Sequence, residues 1–175
     1  MHRDVEHGRG RRRGQGTAEE EGARVLLVDD VAAVRDAFAT LLRGAGYAVT
    51  AVDSGPAALA VLERQGADLL LTDLCMPDMS GWEVVREVRG RAITNGRGTP
   101  ICVGLYSAVL SGISREQLVR AQVDFALTKL SEPEAVLDAV ERALAWSEVE
   151  VARLPAGWRP ARRGVRAPTR ARGVS

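Results

Sequence analysis

Five short apolar runs alternate with five segments of helical periodicity between residues 24 and 147. The runs predict strands at Arg24–Asp29, Tyr47–Val52, Asp68–Thr72, Pro100–Tyr106 and Phe125–Thr128. The segments predict helices at 31–43, from Ser54 to about Gln65, and at 82–88, 114–121 and 133–146. Short continuous apolar runs are typical of strands buried on both faces, and parallel strands need helical crossovers. The alternation therefore predicts an α/β fold with a doubly wound parallel sheet.

Polar side chains stand at the ends of four of these strands. Asp29 and Asp30 end the first strand, Asp73 follows the third, Ser107 follows the fourth and Lys129 follows the fifth. In open parallel sheets, ligands bind outside the carboxyl ends of the strands. We therefore expect three carboxylates, one hydroxyl and one ammonium at the same edge of the sheet.

This set of groups indicates phosphoryl-transfer chemistry. Three crowded carboxylates repel one another and need a compensating charge, which Mg²⁺ with oxygen ligands can supply. Asp73 would then be the nucleophile toward a phosphoryl donor and would form an aspartyl phosphate. Mg²⁺ and Lys129 would neutralise the phosphoryl oxygens, and Ser107 could donate a hydrogen bond to them.

Each of these residues has an ordinary interpretation when it is taken alone. Asp29 and Asp30 could cap the helix that follows them, because acidic residues favour helix starts. Asp73 could belong to ordinary turn chemistry before Pro77, and Lys129 could lie in solvent. Their shared position at strand ends favours the acidic pocket.

Four stretches in this order resemble the receiver domain of two-component response regulators: VLLVDD (25–30), LLLTDLCMPDMSGWE (69–83), ICVGLYSA (101–108) and DFALTKL (124–130). The resemblance covers about residues 24–147 and implies a flavodoxin-like (βα)5 fold with strand order 2-1-3-4-5. Composition predicts a disordered tail at 1–22 and a disordered Arg/Pro-rich tail at 148–175, on either side of a receiver at 23–147. The resemblance also implies a phosphorelay protein that receives its phosphoryl group from a histidine kinase or a histidine phosphotransfer protein, rather than an enzyme.

The same resemblance implies a role for each site residue. Asp73 is the phosphoacceptor and a metal ligand. Asp30 binds Mg²⁺ directly, Asp29 binds it largely through water, and the backbone carbonyl of Cys75 completes the metal site. Ser107 is the switch hydroxyl, and Lys129 pairs with the phosphoryl oxygens.

Three positions depart from the family pattern. Leu130 follows Lys129 where the family usually has a proline with a cis bond; since a cis bond to leucine would cost ~3–4 kcal/mol, we predict a trans peptide. Ala126 stands where an aromatic residue or histidine is common. An aromatic rotamer switch is therefore absent unless Phe125 or Tyr106 substitutes for it. Gln122 replaces a glycine. These departures concern signal readout more than phosphorylation.

Other catalytic classes lack their residues. Phosphatases of the haloacid dehalogenase type need a second aspartate two residues after the nucleophile, where this chain has Cys75. No phosphate-binding glycine loop follows the first strand. The two histidines, His2 and His7, lie in the N-terminal tail, which argues against Ser-His-Asp chemistry.

Composition favours a cytoplasmic protein. No apolar run approaches the ~20 residues of a membrane span, and the N-terminus has no apolar signal region. The two cysteines, Cys75 and Cys102, form no metal or disulfide motif. Residues 24–147 hold 12 basic and 16 acidic side chains, so the predicted domain is acidic.

The C-terminal tail carries seven arginines against two glutamates and shows no hydrophobic periodicity. It is too short for a DNA-binding domain, so we expect a stand-alone receiver that acts on an unidentified output protein. Two alternatives stay open: an interaction module whose phosphorylation is uncoupled from output, and a nucleic-acid or membrane-surface binder that uses these arginines. A solvated tail is favoured over such binding. The cognate kinase and a homodimer formed through the last two helices are left undecided.

Overall fold

The computed structural model describes residues 22–95, 98–108 and 110–145. Its strands are β1 (Arg24–Val28), β2 (Ala48–Val52), β3 (Leu69–Asp73), β4 (Cys102–Ser107) and β5 (Phe125–Thr128). Its helices are α1 (Ala32–Gly44), α2 (Gly55–Gln65), α3 (Gly81–Gly90), α4 (Arg115–Arg120) and α5 (Pro133–Leu144). The strands form one parallel sheet in the order β2-β1-β3-β4-β5, which confirms the predicted fold.

The register of the sheet brings the polar strand ends together. Val28 pairs with Thr72, so Asp29 and Asp73 follow neighbouring positions. On the other side of β3, Asp73 pairs with Tyr106, the residue before Ser107. Ser107 in turn pairs with Thr128, the residue before Lys129.

The sheet is covered by two apolar layers because its strands are apolar on both faces. The first layer joins side chains such as Leu26, Leu70 and Leu105 to the buried faces of α2 and α3. The second layer joins Leu27 and Leu71 to α1 and α5. This packing holds the carboxyl ends of the strands rigidly in one line.

Side-chain caps fix the beginnings of two helices. At α3, Ser80 Oγ accepts a bond from the Glu83 backbone N–H at 3.4 Å, and the Glu83 carboxylate accepts one from the Ser80 backbone N–H at 2.9 Å. Ser114 and Gln117 form the same capping box at α4. Ser54 precedes α2 as predicted, but its hydroxyl donates to Asp53 at 3.1 Å and does not cap the helix.

Helix α4 is the helix with the weakest anchorage to the core among the described residues. It has six residues and none of them is buried. Leu118 is its half-buried contact with the first apolar layer.

Two helix boundaries differ from the prediction. Val31, the expected first residue of the first helix, is its N-cap and is 48% exposed. Helix α5 ends at Leu144, before the predicted boundary. The shortfalls lie at helix ends, where the periodic pattern is weakest.

The predicted tail at 1–22 lies outside the described residues except for Gly22, and the predicted tail at 148–175 lies wholly outside them, as does Trp146. No helix in the part of the chain that the structure describes has the length and apolarity to cross a bilayer.

Candidate functional site

Three carboxylates meet at the carboxyl edge of the sheet. Asp29 directly follows β1 and is fully buried, and Asp73 is the last residue of β3 and is 3% exposed. Asp30 is exposed at the rim. One carboxylate oxygen from each of the three lies within 4.8 Å of the others. The structure thus brings together the acidic residues that the sequence singled out.

Lys129 joins the two buried carboxylates. Its Nζ lies 2.8 Å from Asp29 Oδ2 and 2.9 Å from Asp73 Oδ2. Its backbone N–H donates to the Ser107 carbonyl at 2.8 Å, which fixes the start of the loop after β5. Burial acts to lower the pKa of Lys129, but hydrogen bonds and charges from both aspartates outweigh it, so the pKa is raised and the ammonium stays protonated.

Asp29 is held from several sides. Its Oδ1 accepts a hydrogen bond from the Val31 backbone N–H at 2.8 Å, and its backbone carbonyl accepts one from the Arg35 guanidinium at 2.7 Å. Its Oδ2 is buried and pairs with the ammonium of Lys129 at 2.8 Å. A divalent cation that binds this oxygen would therefore share it with Lys129.

The donor set fits a hard divalent cation. All three side chains offer carboxylate oxygen, and the ammonium of Lys129 pairs with two of them, which leaves an excess of negative charge. Mg²⁺ prefers oxygen ligands and usually keeps several waters, which the exposed side of Asp30 would accommodate. Cys75 follows in the loop after β3 with an exposed thiol, and its predicted carbonyl ligation stays a prediction.

Gly81 fixes the loop that follows Asp73. Its N–H donates to the Leu74 carbonyl at 3.0 Å, which closes the loop. A Cβ at this position would collide with the carbonyl oxygen of Asp73, so α3 can begin this close to the end of β3 only with glycine. Gly81 therefore holds the loop after β3 close to the backbone of Asp73.

Ser107 is buried at the end of β4, next to Lys129 in the register of the sheet. The peptide between Lys129 and Leu130 is trans, as predicted, and Leu130 is 82% exposed. The main chain at this strand end thus keeps Lys129 directed at the carboxylates without a cis proline.

Tyr106 is the site residue that sequence reasoning placed least well. It was one of two substitutes considered for the aromatic residue missing at Ala126. Its ring is fully buried, its hydroxyl donates to the Val28 carbonyl at 3.2 Å, and the ring centroid lies 5.1 Å from the ammonium of Lys129. Burial raises its pKa, and a hydrogen bond with the Asp29 carboxylate, followed by the charge of that group, raises it further, so the phenol stays neutral. The other candidate, Phe125, covers Gly104 instead.

An acidic cleft lies beside the pocket and shares Asp30 with it. A cavity of about 340 Å³ is lined by Asp30, Asp53 and Asp78, together with residues of the loop after β3. The carboxylates around this opening would favour cations and disfavour free anions.

Comparison with known proteins identifies the family. The family model of the response regulator receiver domain matches residues 25–141. The chain belongs to this family. Receiver domains are phosphoacceptors of two-component systems.

Curated relatives support the same family. Over 68 residues, the receiver is 47% identical to the sensory transduction protein RegX3 of Mycolicibacterium smegmatis, a match that covers 39% of this chain and 30% of RegX3. Over 121 residues it is 36% identical to the response regulator protein FleR of Pseudomonas aeruginosa, covering 69% of this chain and 24% of FleR. The chain therefore spans less than a third of either relative.

Solved receivers share the architecture. The chemotaxis response regulator CheY4 of Vibrio cholerae superposes with a TM-score of 0.63 at 28% identity, covering 70% of this chain and 99% of CheY4. The receiver domain of the sensor histidine kinase PA1611 from Pseudomonas aeruginosa gives 0.60 at 27% identity, covering 69% and 96%. That structure has a magnesium ion coordinated in its active-site cleft.

Proposed function

We propose that Asp73 accepts a phosphoryl group from a histidine kinase or a histidine phosphotransfer protein. One observation carries the proposal: the buried carboxylate of Asp73 stands at the end of β3, with Lys129 at 2.9 Å and the carboxylates of Asp29 and Asp30 beside it. The cation attracts the phosphoryl oxygens, and the two further carboxylates offer ligands for a metal.

The transfer step uses the atoms of this chain directly. A carboxylate oxygen of Asp73 attacks the phosphorus, a P–O bond to Asp73 forms, and the P–N bond to the donor histidine breaks. The histidine leaves with the electron pair and takes up a proton. Lys129 binds an oxygen of the transferred group, and Ser107, one strand away, offers its hydroxyl to the same group.

Asp29, Asp30 and Asp73, with the carbonyl of Cys75, would hold Mg²⁺. When bound, Mg²⁺ neutralises negative charge on the carboxylates and on the phosphoryl group. The close approach of carboxylate oxygens from Asp29, Asp30 and Asp73 supports the carboxylate part of this ligand set.

We propose that the output is a protein–protein contact made in the cytoplasm, with no action on a substrate of its own. The family assignment supports a kinase or phosphotransfer protein as donor. Because RegX3 and FleR are much longer than the matched segments, their outputs are not transferred to this chain.

Intact mass spectrometry tests the proposal. The protein is incubated with acetyl phosphate, with and without Mg²⁺, beside Asp73→Asn. We expect one phosphoryl adduct that requires Mg²⁺ and is lost in the variant. Asp78→Asn is the matched control, because Asp78 is an exposed acid of the same loop. An adduct that persists in Asp73→Asn, or its absence from the folded wild type, would contradict the proposal.

A second candidate function rests on Leu130 and Ala126. Leu130 is 82% exposed beside the pocket, and Ala126 offers no aromatic side chain to change rotamer. The chain would then bind its partner constitutively. A partner affinity that changes on phosphorylation of Asp73 would exclude this function. The alternative that uses the C-terminal arginines concerns residues outside the described part of the chain.

A further inference from the structure

Tyr106 closes the pocket on the side of α1. Its ring centroid lies 4.9 Å from that of Phe38 and 5.1 Å from the ammonium of Lys129. The hydroxyl donates to the Val28 carbonyl at 3.2 Å, which orients the ring. The side chain is fully buried.

The ring adds a partner for Lys129 that differs from the two carboxylates. A cation within about 6 Å of an aromatic centroid is attracted by the electrons of the ring face. Asp29 and Asp73 hold the ammonium by charge, and both are also the groups that a divalent cation would attract. The ring is uncharged, so a divalent cation would not compete with the ammonium of Lys129 for it.

We propose that Tyr106 is a positioning residue that keeps the ammonium of Lys129 near Asp73 when the carboxylates bind a divalent cation. This inference rests on the proposed function, because its role is to hold Lys129 ready for the phosphoryl oxygens. The aromatic face is the active part, and the phenolic hydroxyl serves to orient the ring.

Substitutions at position 106 separate the ring from its hydroxyl. Tyr106→Phe keeps the face, and we expect its rate of phosphorylation by acetyl phosphate to stay within about twofold of wild type. Tyr106→Leu removes the face and should lower the rate about 2- to 30-fold, the range that corresponds to a cation–ring contact of roughly 0.5–2 kcal/mol. Tyr106→Met replaces the leucine variant if the latter does not fold.

A double-mutant cycle with Lys129→Met distinguishes positioning from packing. If Tyr106 acts through the ammonium, Tyr106→Leu should change the remaining rate less than twofold once Lys129 is methionine. A purely structural effect would lower the rate by the same factor in both backgrounds, and that result would overturn the inference. An equal loss in Tyr106→Phe and Tyr106→Leu would overturn it too.

A spectroscopic measurement tests the contact without phosphorylation. Lys129 is the one lysine in the sequence, so lysine labelled with ¹³C gives one side-chain signal set. Its ε-protons should be shifted upfield by the ring in wild type and in Tyr106→Phe, and this shift should disappear in Tyr106→Leu. The shift should persist when Mg²⁺ is added. Loss of the shift on adding Mg²⁺ would overturn the inference, whereas a wild type that shows the shift but takes no phosphoryl group would contradict only the proposed function.

Discussion

The ammonium of Lys129 lies 2.9 Å from Asp73 Oδ2 and bridges it to Asp29. These charges are largely removed from water, since Asp29 is fully buried and the Lys129 side chain is 14% exposed. Removing one partner from such an arrangement leaves like charges facing each other without compensation. The stability of the metal-free protein therefore depends on this one side chain.

Lys129→Met should lower the free energy of unfolding by ~3 kcal/mol without Mg²⁺. Added Mg²⁺ should stabilise this variant more than wild type, because the divalent ion replaces the lost positive charge and no ammonium competes for the carboxylates. Urea denaturation with and without Mg²⁺ measures both effects. Equal stabilisation of the two proteins by Mg²⁺ would argue against competition at this site.

Asp30→Asn should remove most of the stabilisation by Mg²⁺. In wild type, an ion concentration 100-fold above the dissociation constant raises the free energy of unfolding by ~2.7 kcal/mol. Asp30 is exposed and has no buried ion pair to lose, so the metal-free stability should change little. Asp36→Asn, the same charge change on exposed α1, is the control and should keep the full response. Thermal unfolding in a magnesium series provides the measurement.

Gly81→Ala should destabilise the fold and disturb the pocket together. The added Cβ would meet the backbone of Asp73 and Leu74, which cannot move without shifting β3. We expect a loss of ~1–3 kcal/mol in urea denaturation, with slower phosphorylation. Gly90→Ala, at the other end of the same helix, adds its Cβ into open space and should be neutral or stabilising by up to ~1 kcal/mol.

Arg89→Leu should cost ~3 kcal/mol in free energy of unfolding. The guanidinium lies 3.1 Å from the carboxylate of Asp124, whose side chain is 4% exposed, and its loss leaves that charge buried. Arg120→Leu breaks the exposed pair with Glu116 and should cost less than ~1 kcal/mol. Chemical denaturation of the two variants tests this contrast, and similar losses would contradict it.

Glu83→Gln should change how stability depends on acid. The hydrogen bond from the Ser80 backbone N–H, followed by that from the Ser80 hydroxyl, lowers the pKa of Glu83 below its usual 4.5. The carboxylate therefore contributes stability that is fully present above pH 4.5 and is lost as pH falls through the lower native pKa. Wild type should exceed Glu83→Gln in stability at pH 7, and the gap should close in acid. A gap independent of pH would exclude the carboxylate as its source.

The sheet and its polar edge could be predicted from the sequence because they rest on local signals. Apolar runs of strand length predict the strands. Four of the five runs are followed by a polar residue, so Asp29, Asp73 and Lys129 could be placed at one edge of the sheet. The helix caps are harder to predict. Ser80 and Glu83 have the spacing of a capping box, but the residues around Gly81 also indicate a turn.

The partners across the sheet could not be predicted from periodicity. Arg89 and Asp124 are 35 residues apart, and only the packing of α3 near β5 makes them neighbours. In the sequence, Tyr106 is one residue of an apolar run, and only the folded sheet brings its ring near Phe38 and Lys129. Which side chains meet at the strand ends depends on strand order and register, and a local pattern does not contain that information.

The lack of buried residues in α4 has a consequence for hydrogen exchange. Local opening costs little free energy where few apolar contacts are broken, and α4 can detach with hardly more than the half-buried Leu118 exposed. Its amide protons should therefore exchange with solvent well before those of α3, whose Val84, Val85 and Val88 are sealed in the core. Among the helices of the described residues, α4 is the one whose movement would expose the least of the apolar core.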